Sequence, residues 1–130
     1  SMFADGGYTI PETLEDLTAL SDQIVADGGT PWCIGAESGV ATGWVLTDWV
    51  EDFMMRINGG EVYDQWVNHE IPFDDPQIVT AMQTVIDLWA PENVFASGGS
   101  IAATAFQDNG QPLVDGVDGG SDPASQGRMR

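Results

Sequence analysis

Five residues in one short stretch carry groups able to recognise a ligand: Glu37, Ser38, Thr42, Gly43 and Trp44, within the run TPWCIGAESGVATGWVLTDWVED from Thr30 to Asp52. The carboxylate accepts hydrogen bonds from hydroxyls, the Ser and Thr hydroxyls donate or accept, and the indole offers a flat apolar face. Together they suit a polyhydroxylated ligand such as a sugar, whose C–H face stacks on the ring while its hydroxyls meet the polar groups. A loop of small residues entering a helix also leaves backbone N–H groups free for a polar ligand. The same residues equally suit an architectural role. Trp44 and Trp49 then belong to the core of an amphipathic helix, and Glu37 is a solvated loop carboxylate.

Bond-making chemistry has little support. The sole histidine, His69, stands beside Glu70 with Asp74 and Asp75 just beyond, but one His and one distant Cys make no zinc signature. The Asp74-Asp75 pair is accounted for by helix capping and the helix dipole. Cys33 lies in an apolar run, where an inert thiol is expected. The chain has no lysine, so Schiff-base and P-loop chemistry are excluded, and no G-x-S-x-G elbow or Ca²⁺-loop pattern occurs. The expectation is a non-catalytic protein with no cofactor and no metal.

The elements that must position the loop can be read from periodicity. Thr13-Leu14-Glu15-Asp16 resembles a capping box with Asp in place of Glu, and apolar residues from Leu14 to Val25 recur at helical spacing until Asp27-Gly28-Gly29. A short strand is expected over Pro31–Ile34. A second helix is expected from Gly43 to Ile57, with Thr42 as its N-cap and Asn58-Gly59-Gly60 as its stop. Its apolar residues cover far more than one stripe, so it is either central to the core or docked on a second body. A short helix over Glu61–Asn68 follows, then an extended connector over His69–Phe73, then a helix opened by Asp74 or Asp75 with Pro76 at its first position. Ile78, Val79, Met82, Val85, Ile86 and Trp89 are its expected buried face, and Pro91 follows its end. Ser100 is expected to cap a short helix over Ile101–Phe106, and Gln111–Val114 reads as a strand without an evident partner. Residues 1–10 read as extended or loose, and the Gly/Asp/Ser-rich residues 117–130 as a flexible tail after a helical segment over 1–116. The fold class is mainly α, with four to five helices and one or two short strands.

Composition sets the outer limits. The 130 residues suffice for one core-forming domain, and 42% apolar residues mark a globular chain. With 21 acidic residues against 3 basic ones the formal charge is −18, which repels nucleic-acid backbones and anionic lipid surfaces. No segment is apolar enough to cross a membrane. No leader is expected either, since Ser1-Met2-Phe3 runs directly into Ala-Asp-Gly-Gly and Ser1 reads as a tag-cleavage scar. On that reading the chain is cytoplasmic or is a piece of something whose leader lies elsewhere.

Several runs resemble a known family. YTIPETLEDL from Tyr8, ADGGTPWCIGAESGVATGWVLTDWVED from Ala26, GGEVYDQWVNHEIPFDDPQI from Gly59 and SIAATAFQDNGQPLVDG from Ser100 are similar to family-1 extracellular solute-binding proteins of bacterial ABC transporters. The likeness is to the α-glucoside and oligosaccharide binders of the maltose-binding-protein type. It implies a fragment of a periplasmic-binding-protein-like lobe, the mostly helical part of the second of two lobes that close on a ligand. It also implies an extracytoplasmic setting and, for the full-length family, an ABC permease as partner. By position Glu37 would take the carboxylate role and Trp44 the stacking role, with Ser38, Thr42 and Gly43 as polar or backbone contacts. Leu14 stands where relatives usually have Trp, and the sequence after Gly116 departs from the family. The resemblance therefore points to a truncated oligosaccharide-binding segment whose uncovered apolar surface favours a homo-oligomer. The alternative is a small acidic self-associating or protein-interaction module without retained ligand binding.

Overall fold

A computed structural model of the chain describes residues 2–115. Its elements are α1 (Met2–Asp5), α2 (Leu14–Ala26), β1 (Trp32–Cys33), α3 (Trp44–Val67), α4 (Pro76–Leu88), β2 (Val94–Phe95) and α5 (Gln111–Asp115), with short 3₁₀ turns between them. Helix dominates, as the fold class read from the sequence requires. The tail expected over 117–130 lies outside the described residues.

Packing of α3 on α4 makes the core. Val50, Phe53 and Met54 meet Ile78, Ala81, Val85 and Leu88, and four of these (Met54, Ile78, Ala81, Val85) have no accessible surface. The α4 residues fall at i, i+3, i+7 and i+10, one stripe of a 3.6-residue helix. Burial of a side chain the size of Met, Ile or Val contributes about 1.5–3 kcal/mol each. The exposed pair of Arg56 Nε and Asp52 Oδ2, at 2.7 Å, lies within α3 and is solvent-screened, so apolar packing holds the pair of helices. The buried stripe differs from the expected one: Val79 and Ile86 are 50% and 57% exposed, and Ala81 and Leu88 take their place. Ala81 and Leu88 share the stripe of Ile78 and Val85 that faces α3, which leaves the two β-branched residues on the outward side.

The helix ends follow local chemistry. In α2 the Thr13 hydroxyl accepts from Asp16 N at 3.1 Å while Asp16 Oδ2 accepts from Thr13 N at 3.1 Å, a complete capping box. Asp75 caps α4 by accepting from Gln77 N at 2.9 Å, with Pro76 in the first turn. Gly59, at φ 79° and ψ 171°, breaks α3 into the two helices expected around Asn58-Gly59-Gly60, because that backbone conformation belongs to glycine. Asn58 Nδ2 donates to Gln77 O at 3.3 Å and Tyr63 O–H to Glu51 Oε2 at 3.3 Å, tying the bend to α4 and to the first half of α3.

Four further expectations about the elements need correction. Residues 1–10 are not simply extended: α1 forms one turn, and Tyr8 folds back on Phe3 (centroids 5.7 Å apart) and donates to Asp27 Oδ2 at 3.1 Å. His69 does not open an extended connector but turns left-handed at φ 58°, so that His69 N and Glu70 N close on Trp66 O and Gln65 O. Ser100 makes no side-chain cap, and only a 3₁₀ turn (Ile101–Ala103) follows it. Gln111–Val114 lies in helix α5, not in a strand. The strand that pairs with β1 is β2, in parallel register with Trp32 opposite Val94 and Cys33 opposite Phe95.

The capping box generates a pH dependence. Hydrogen bonds, from Thr13 first and then from the Glu12 backbone, hold the Asp16 carboxyl below the usual carboxylate range. A depressed folded value means the contribution is full above the unfolded value and is lost as pH falls through the folded one. Melting followed by circular dichroism from about pH 5 to about pH 2 should therefore show a smaller acid-induced loss in Asp16→Asn than in the parent.

Candidate functional site

The ladder begun by β1 continues past the strand and carries the loop with it. Ile34 N donates to Phe95 O at 3.2 Å, Ala36 N to Ile101 O at 2.9 Å and Glu37 N to Thr104 O at 2.9 Å, and Phe106 N returns to Glu37 O at 3.1 Å. A bridge pairs Glu37 with Ala105. This run is possible because residue 35 is glycine: a Cβ there would sit 2.7 Å from Ala105 O and 2.8 Å from Thr104 O. Backbone oxygens cannot yield as a flexible side chain can, so only glycine fits.

Beyond Glu37 the loop closes on itself. Glu37 Oε1 accepts from Gly39 N at 2.7 Å. The Thr42 hydroxyl accepts from Ser38 N at 3.0 Å and donates to Gly39 O at 2.8 Å. Gly39–Ala41 forms a 3₁₀ turn, and Gly43 N donates to Ala36 O at 3.4 Å. Thr42 is thus not the N-cap of α3, because its hydroxyl is already committed to the loop. Gly43 occupies that position, at φ 110° and without a side-chain hydrogen bond.

Trp44 and Trp49 part company at the start of α3. Five residues advance a helix by about 500°, placing the two indoles about 140° apart around its axis. Trp49 turns inward and is a hub: Trp32 and Trp89 stand edge-to-face with it at 5.5 Å, and Phe53 is stacked at 6.0 Å. Trp44 remains 38% exposed and meets Phe106 at 5.1 Å with an interplanar angle of 75°. Of the architectural alternative, the core role fits Trp49 and not Trp44. Glu37 is partly buried and hydrogen-bonded instead of freely solvated.

Local hydrogen bonds join Glu37, Ser38, Thr42 and Gly43 within the loop, and Trp44 follows at the start of α3 against Phe106. The structure adds Phe106, which sequence reasoning did not reach: it lies 62 positions from Trp44 and arrives through the ladder. The signal that would have found it is β2 itself, a short apolar pair between Pro91-Glu92-Asn93 and Ser97-Gly98-Gly99. Cys33, in β1, is partly buried and burial pushes its thiol up, so it carries no thiolate at neutral pH. His69 is exposed, and no three His, Cys, Asp or Glu residues come together to hold a metal among the described residues.

A profile for bacterial extracellular solute-binding proteins matches residues 1–124. The chain belongs to this family. An alpha-glucosides-binding periplasmic protein of Rhizobium meliloti, AglE, is 46% identical over 113 residues, covering 85% of this chain and 24% of that protein. An osmoprotective compounds-binding protein of Synechocystis, GgtB, is 46% identical over 109 residues, covering 82% of this chain and 26% of that protein. The chain thus spans about a quarter of the length of these solute-binding relatives. No solved structure matches it. No described helix is long and apolar enough to cross a membrane.

In this chain the close approach at residue 35 can be tested directly. Gly35→Ala should force the ladder apart, separating Phe106 from Trp44. The measurable outcome is a destabilisation of about 1–3 kcal/mol in urea, with greater access of acrylamide to the Trp44 emission. Unchanged stability would show that the ladder does not depend on the missing side chain.

Proposed function

We propose that this chain supplies one wall of an oligosaccharide site in an ABC-transporter solute-binding protein, with α-glucosides as the ligand class and no catalytic step. The observation that carries this reading is the Glu37 carboxylate held by Gly39 N at 2.7 Å beside the exposed Trp44–Phe106 corner. A carboxylate fixed in advance accepts ligand hydroxyls without the cost of ordering a free side chain. Two rings inclined at 75° offer faces to two sugar units that bend relative to each other. The name of the Rhizobium relative, an alpha-glucosides-binding protein, supports the ligand class. In the longer family the ligand lies between two lobes outside the cytoplasm, and lobe closure is what the permease reads. Ser38 offers its hydroxyl from the same loop, while Thr42 and Gly43, bonded to Ser38 N, Gly39 O and Ala36 O, hold the loop's shape.

One wall contacts only part of a sugar, so affinity of this chain alone is expected to be roughly millimolar. Tryptophan fluorescence titrated with maltose and trehalose should saturate in that range, with cellobiose weaker. Trp44→Ala and Glu37→Gln should each weaken binding roughly tenfold or more. A folded sample whose emission does not change with any of the three sugars would defeat the proposal.

Exposed apolar residues favour a second reading. Met55, Val67, Phe73, Val79 and Ile86 are 49–64% exposed, which suits a self-associating or protein-interaction module. Sedimentation at several protein concentrations should then show a homo-oligomer that strengthens with salt, as repulsion between chains of charge −18 is screened. A strictly monomeric species at every concentration would remove the self-associating form of this reading.

A further inference from the structure

A cleft of about 910 Å³ lies between the start of α2 and one face of α3, and it shares no residue with the 37–44 loop. Its floor is aromatic. Trp32 and Trp49 stand at 80° with centroids 5.5 Å apart, and Phe53 is stacked on Trp49. Leu14 and Leu17 of α2 form the opposite apolar wall. The size falls in the range of small-molecule sites, about 300–1,000 Å³.

The rim is acidic, with Glu12 and Glu15 from the α2 side and Asp48 and Asp52 from α3. Asp48 and Asp52 are four residues apart on one face of α3, each one position ahead of an aromatic residue, Trp49 and Phe53. The carboxylate row therefore runs beside the aromatic row. Arg56 also lines the cleft, but its Nε is engaged by Asp52 Oδ2 at 2.7 Å. Four carboxylates against one guanidinium leave three negative charges beside a partly buried aromatic corner.

We propose that this cleft binds a small organic cation of the quaternary-ammonium class, seated in the open corner formed by the Trp32 and Trp49 rings with Glu15 and Asp48 as counter-charges. A ring face attracts a cation through its quadrupole, and two rings at a right angle contact it from two sides. Methyl groups on the cation lose little hydration against Leu14 and Leu17, whereas a bare metal ion or primary ammonium would lose much more. A neutral sugar gains nothing from the acidic rim. A second copy of this chain would bring an equally acidic surface against it. The chain's overall charge of −18 raises the local cation concentration in the same sense.

The test is a titration of the whole 130-residue chain with tetramethylammonium chloride, against sodium chloride at matched ionic strength. The N-methyl proton resonance of the ligand should move upfield and saturate, with a dissociation constant roughly in the millimolar range. Choline should compete and maltose should not, which separates this site from the sugar-binding reading. The double variant Glu15→Gln, Asp48→Asn keeps side-chain shape and should weaken binding roughly tenfold, with an unchanged circular dichroism spectrum. A shift that fails to saturate, that sodium chloride reproduces, or that survives both amide substitutions would mean surface screening only and would overturn the proposal.

Discussion

The contact of α3 with α4 through Met54, Ile78, Ala81 and Val85, none of which retains accessible surface, fixes the rotation of α3 about its own axis. Everything at the loop follows from that angle. With Val50, Phe53 and Met54 committed to α4, Trp49 is directed into the aromatic cluster and Trp44 is left at the surface beside Phe106. A helix of this composition, apolar on most of its circumference, has no unique inward face of its own. Its partner selects one.

Elements specified by local chemistry were legible in the sequence, and those specified at a distance were not. The capping box at Thr13 and Asp16, the Asp75-Pro76 start of α4 and the break at Gly59 each depend on residues within four positions of one another. All three appear where the residues place them. The proximity of Glu37, Ser38, Thr42, Gly43 and Trp44 follows from the chain alone, since the residues are neighbours in it. The β1–β2 pairing was not, because two-residue strands carry no periodicity and their stability comes from the partner strand. Phe106 was missed with it. The buried stripe of α4 was misread because Val79 and Ile86 are more hydrophobic than Ala81, and periodicity alone does not say which of two overlapping stripes faces a neighbour. Thr42 was misassigned as a cap because hydroxyls suit loops and helix starts equally.

The tryptophan cluster carries an unusual polar balance. Nε1 of Trp32 and of Trp89 are buried without an oxygen, nitrogen or sulfur acceptor, a state that ordinarily costs about 1–3 kcal/mol per donor. Both rings stand nearly perpendicular to Trp49, at 80° and 74°. In that arrangement the positive edge of one ring meets the negative face of another. Such contacts are weaker than a conventional hydrogen bond, so the cluster trades polar satisfaction for dense aromatic packing where β1, α3 and the end of α4 converge.

The internal bond between Glu37 and Gly39 also bears on what the loop mouth turns away. A carboxylate is an acceptor without a proton to give, and one of its oxygens is already taken up by the backbone. Whatever approaches the other oxygen must bring a hydrogen of its own. Phosphorylated and carboxylated solutes present negative oxygens there and meet a chain of charge −18 besides. Uncharged polyols meet neither obstacle, so on the proposed reading the loop would sort solutes by proton-donating capacity before shape enters.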